Sequence, residues 1–147
     1  KEVKKRIGFS IFLDVLFNRS PRIQDHGRQI NEYDHIILVA PIWASKIPTP
    51  LKSFLLLEKN NIRRYSFISV CAGSRDQKTK IESELLRLVG KRPVVTTELW
   101  INDILPEEKK NKIKYVTSYH LKAGDLSAFA TEIMKHTEMA PEKLYHH

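Results

Sequence analysis

The sequence predicts an α/β fold in which a parallel sheet is covered by helices on both faces. Three observations carry that prediction. Short, continuously apolar runs such as "HIILVA" and "YSFISV" have the pattern of strands buried on both faces. Segments with helically spaced apolar residues and recognisable end signals lie between them. The two kinds alternate along the chain, the order that joins parallel strands through crossover helices.

The elements follow in order. Residues 1–7 read as the last turns of a helix stopped at Gly8, and residues 9–17, "FSIFLDVLF", as a strand. The polar stretch that follows, with its Pro and Gly, is a connection. "HIILVA" is the next strand. Thr49 is placed to cap a helix with Pro50 at its first position, running through "PLKSFLLLEKN" with Leu51, Phe54, Leu55 and Leu57 toward the core. "YSFISVCAG" is a strand, and Ser74 or Asp76 is placed to cap the helix "KTKIESELLRLVG", whose stripe is Ile81, Leu85, Leu86, Leu88 and Val89 and whose stop is Gly90. The β-branched "RPVVTTELWI" is a further strand. After Pro106 the chain is polar and helical or irregular, until Asp125 caps a last helix, "LSAFATEIMKHTEM".

The 147 residues fit one compact domain, 1–147. No apolar run approaches the roughly 20 residues that span a bilayer, so no membrane is expected. One cysteine, Cys71, excludes an internal disulfide framework and fits a cytoplasmic location. The net charge is +8, but the basic residues are dispersed, which reads as solvated faces and makes nucleic acid an unexpected partner. His26, His35, His120 and His136 show no ligand spacing, so no metal site is expected. Walker, G-x-S-x-G and G-x-G-x-x-G motifs are absent from the sequence.

The segment "DHIILVAPIWASKIPTP" sets Trp43 in a Pro-punctuated loop directly after a strand. In open parallel sheets ligands sit beyond the carboxyl ends of the strands, and the loops 41–48 and 71–76 both lie there. Trp43 is therefore a candidate ligand contact; the competing reading is a rim residue packed on the helix after Pro50. Cys71 reads as a small buried residue at a strand end, Ser74, Arg75 and Asp76 as helix caps with hydrogen bonding to a ligand edge as the alternative, and Trp100 as core or cleft edge. Lys46 and Arg19 could meet an anion, with a solvated role as the alternative.

"YDHIILVAPIWASKIPTPLKSFL", "FISVCAGS", "GKRPVVTTELWINDILP" and "YVTSYHLKAGDLSAFATEI" resemble the flavodoxin-like family over residues 33–136. The resemblance implies a five-stranded flavodoxin-like sheet, flavin mononucleotide (FMN) as cofactor, and a role as an electron carrier or a small flavin-dependent reductase. The partner would be a redox protein or a small quinone-like substrate. It implies that Pro41, Ile42, Trp43, Ala44 and Ser45 flank the flavin ring, with Trp43 stacked on it, and that Cys71, Ala72, Gly73 and Ser74 border its pyrimidine side. No catalytic residue is implied. The family's first strand and its Thr/Ser/Gly phosphate loop have no counterpart, so the chain is expected to be N-terminally incomplete, or a truncated relative. A truncated relative would act as a cofactor-free binding or regulatory module, or complete its sheet in a homodimer.

Overall fold

The computed structural model describes residues 29–42, 45–72 and 75–138. The expected helix end at 1–7 and strand at 9–17 lie outside them, as do Trp43, Ala44, Gly73 and Ser74. The described chain is an α/β unit around a three-stranded parallel sheet of β1 (Ile36–Pro41), β2 (Tyr65–Cys71) and β3 (Thr96–Trp100), in the order β1-β2-β3. The register pairs Leu38 with Phe67 and Phe67 with Thr96, and it ends with Cys71 opposite Trp100. Helices α1 (Thr49–Glu58) and α2 (Lys78–Val89) make the two crossovers. After β3 come α3 (Ile101–Ile104), a 3-10 turn (Glu107–Lys109), α4 (Ile113–Thr117), a 3-10 segment (Ala123–Phe129) and α5 (Ala130–Glu138).

Side chains alternate across a strand, so adjacent residues serve opposite faces. Leu38, Ala40, Tyr65 and Phe67 pack with Leu55 of α1 and Ile81, Leu85 and Leu88 of α2. On the other face Ile68 and Leu99 meet Phe129 and Ile133. Helices thus cover both faces. A third cluster, Ile101, Leu105 and Val116 against Val70 and Ala72, closes the carboxyl end of the sheet. At the opposite end the buried Tyr65 hydroxyl donates to the Lys91 carbonyl at 2.8 Å, and Lys91 Nζ donates to the Ile62 carbonyl at 2.6 Å.

Several local expectations are corrected. β1 is buried on one face only: it is an edge strand among the described residues, and Ile37 and Val39 are exposed. Thr49 is the first helical residue, not the cap; Pro48 occupies the cap position and the Thr49 hydroxyl is buried with no hydrogen bond. Leu57 is exposed, whereas Lys52, Ser53 and Glu58 are buried. Gln77, not Asp76, precedes α2. Asp125 lies inside a 3-10 segment, where its carboxylate accepts the Lys122 N–H at 2.7 Å, and the last α-helix begins five residues later, at Ala130. Gly90 ends α2 as expected, with φ of 82° and its N–H on the Leu86 carbonyl, a left-handed turn that glycine adopts without strain.

Candidate functional site

β2 and β3 end at one level, and the chain leaves each of them abruptly. Ala72 follows Cys71, and Ile101 opens α3 straight after Trp100. Between these exits and α4 lies a cleft of about 370 Å³, lined by Ala72, Arg75, Trp100, Asn102, Asn111, Ile113 and Val116. Trp100 is 8% exposed and forms its wall. The Arg75 guanidinium stands 5.2 Å from the indole centroid, within cation–π range, and its Nη2 is held 2.6 Å from Asp103 Oδ1. Asn102 and Asn111 close the rim reciprocally. The Asn111 backbone N–H donates to Asn102 Oδ1 at 2.7 Å, and Asn102 Nδ2 donates to Asn111 Oδ1 at 3.2 Å. Asn111 has φ of 59°, a conformation asparagine tolerates better than most residues.

The loops at the carboxyl ends are tethered by carboxylates from later elements. Glu84 of α2 accepts the Ile47 N–H at 3.1 Å and pairs with the buried Lys52 ammonium at 2.7 Å. Glu98 of β3 accepts the Gln77 N–H at 3.1 Å, at the start of α2. Burial holds the Glu98 carboxyl above its usual range, with Asp76 adding to the effect and the Gln77 N–H and Lys78 opposing it. A second, polar cleft of about 390 Å³ runs past Glu98 on the far side of Trp100, toward Glu132 and Lys135 of α5.

The residues singled out from the sequence fall in different places. Pro41 ends β1 with its ring exposed. Ile42 packs on the core beneath α1, and Ser45 is exposed with φ of 58°. Cys71 is 1% exposed and its thiol lies 3.4 Å from Ser69 Oγ; burial pushes the thiol up, the reverse of activation. Ala72 lines the cleft. Trp43, Ala44, Gly73 and Ser74 are outside the described residues. Trp100 does both things the sequence allowed, packing and lining a cleft. Asn102, Asn111, Ile113 and Val116 had no sequence signal, because the turns that bring them together are polar and irregular. Among the described residues no three His, Cys, Asp or Glu side chains converge as a metal ion requires.

Two imidazoles are held by hydroxyls of the neighbouring strands. His35 Nε2 lies 2.7 Å from Ser66 Oγ, and His136 Nε2 lies 2.8 Å from Thr97 Oγ1. Both Nδ1 atoms are buried without a hydrogen-bond partner. Burial is the largest cause that lowers each imidazole's affinity for a second proton, reinforced by Arg64 at His35 and by His35 and Lys135 at His136.

No family model and no curated protein matches this chain. A solved flavoprotein in complex with FMN from Lactobacillus acidophilus NCFM is similar to it, at 24% identity and a TM-score of 0.49. The match covers 58% of this chain and 58% of that one, so this chain spans less than two thirds of that structure's length. The α/β architecture rests on the strand order and register themselves, not on that likeness.

Proposed function

We propose that this chain is a single flavodoxin-like domain that binds FMN and serves a redox function, as an electron carrier or a small flavin-dependent reductase. The observation that carries the reading is the Trp100 cleft at the carboxyl ends of β2 and β3. Its volume of about 370 Å³, apolar wall and few polar rim groups fit part of a planar ring system. In this reading Trp43 covers one ring face, Pro41, Ile42, Ala44 and Ser45 shape that side, and Cys71, Ala72, Gly73 and Ser74 border the other edge. Asn102 and Arg75 would offer hydrogen-bond donors to the ring carbonyls. Bound FMN would supply the centre that accepts electrons or a hydride.

The ring fits these residues better than the phosphate does. Among the described residues, the Gln77 N–H before α2 is already taken by Glu98. Helix α1 opens with Pro48 at its cap and Pro50 within its first turn, neither of which has an N–H to offer. Affinity would therefore come mainly from the ring. The test is a fluorescence-quenching titration with FMN and with riboflavin. Saturable binding of both, with affinities within a few-fold, is expected, and so is a weaker complex after Arg75→Gln. Absence of quenching by either ligand would refute the flavin reading. It would favour the alternative, a cofactor-free binding module, which the carboxylate-occupied start of α2 specifically supports.

A further inference from the structure

We propose that a separate cleft on the other side of α4 is a nucleotide site, in which Lys109 and Lys122 hold a phosphate group and Tyr115 supports a flat base. The cleft has a volume of about 500 Å³, within the range of small-ligand sites. Helix α4 is the partition: Ile113 and Val116 face the Trp100 cleft, whereas Tyr115 lines this one. The site stands whether or not a flavin binds next door.

Its lining combines three features. Leu105 is a buried apolar element, 4% exposed. Tyr115 offers a half-open ring, and Lys109 Nζ stands over it 5.8 Å from the centroid, so an anion drawn to that ammonium lies against the aromatic side chain. Lys109, Lys122 and His120 are all exposed on the rim, and the lining holds no carboxylate. The neighbouring acid, Asp125, is engaged: its Oδ2 accepts the Tyr119 hydroxyl at 3.0 Å and the Lys122 backbone N–H at 2.7 Å. Those bonds fix Tyr119 and the Lys122 backbone at the rim. Two ammonium groups on a rim whose lining, among the described residues, holds no carboxylate favour a phosphate. A bare phosphate would leave the aromatic face and the apolar wall uncovered, while a base stacks on any aromatic face largely regardless of its identity.

The test is calorimetric titration of the full chain at low ionic strength with adenosine 5′-monophosphate, adenosine and inorganic phosphate. The nucleotide is expected to bind at least tenfold more tightly than either fragment. The double variant Lys109→Gln/Lys122→Gln should weaken it at least tenfold, and Tyr115→Leu at least threefold. Lys80→Gln, which removes one charge from the exposed face of α2, should leave it unchanged. These are surface substitutions, and circular dichroism checks that each variant folds. Failure of the nucleotide to bind, phosphate binding as tightly as the nucleotide, or an equal loss from Lys80→Gln would each overturn the proposal.

Discussion

Replacing Glu84 tests whether the candidate site is held together by its own scaffold. The Lys52 side chain is 3% exposed and that of Glu84 16%, with 2.7 Å between ammonium and carboxylate. Breaking a buried pair from one side costs about 3–5 kcal/mol, because the remaining charge loses its compensation. Glu84→Ala also deprives the Ile47 N–H of its acceptor, which adds about 1 kcal/mol. The terms overlap, so the expected loss is about 4 kcal/mol, a large share of the 5–15 kcal/mol typical of a folded domain. Glu84→Gln keeps an oxygen for Ile47 and removes the charge, and should cost about 3 kcal/mol. Urea denaturation followed by circular dichroism at neutral pH measures both. Adding Lys52→Met to Glu84→Gln should recover part of the loss, since an apolar side chain of similar length replaces a buried cation that no longer faces the Glu84 carboxylate. A Glu84→Gln midpoint equivalent to less than about 0.5 kcal/mol from wild type, or a double variant worse than the sum of the singles, would refute the reasoning.

Two further outcomes are expected. His35 and His136 have folded-state pKa values below the ordinary 6.5, so the unfolded chain takes up protons first. Both states are neutral well above pH 6.5 and stability is full there; it falls as pH drops from about 6.5 toward the folded values, by about 1.4 kcal/mol for each tenfold weakening of proton binding. Urea titrations from pH 8 to 5 should show this slope and a flatter one for His136→Gln; identical slopes would count against it. Glu98→Ala should cost about 1 kcal/mol by removing the hydrogen bond between the Gln77 N–H and the Glu98 carboxylate. Glu98→Gln should be less stable than wild type by little or nothing at pH 7, and its relative standing should improve with rising pH, because ionising a carboxyl whose folded pKa is raised disfavours the folded state.

The strands were legible because a short apolar run bounded by turn residues fits little besides a buried strand. What the run does not encode is whether both faces of a strand are covered. "HIILVA" looks fully buried, yet Ile37 and Val39 are exposed, because among the described residues no helix covers that face of β1. Helix α2 was legible to the residue at its end because Gly90 signals locally. Helix α1 was not: Leu57, expected toward the core, is exposed, and Lys52 is buried for a reason outside the helix, the carboxylate of Glu84 that pairs with it. Trp100 carried a signal as a large side chain at a strand end. Asn102 and Asn111, nine residues apart in polar sequence, meet only through side-chain bonds that no periodicity foretells.

The two tethering carboxylates share a logic. Glu84 holds Ile47 in the loop after β1, and Glu98 holds Gln77 in the loop after β2. Each loop is thus fixed by an element that follows it in the chain: α2 for the first, β3 for the second. Neither loop can reach its final geometry until that later element has packed. A substitution that loosens α2 against α1, or β3 against β2, therefore reaches the carboxyl-end loops without touching the cleft itself. If the loop after β1 covers a flavin as proposed, flavin affinity and global stability should fall together in Glu84 variants. In Arg75 variants affinity should fall alone, because among the described residues Arg75 meets the exposed Asp103 and the face of Trp100.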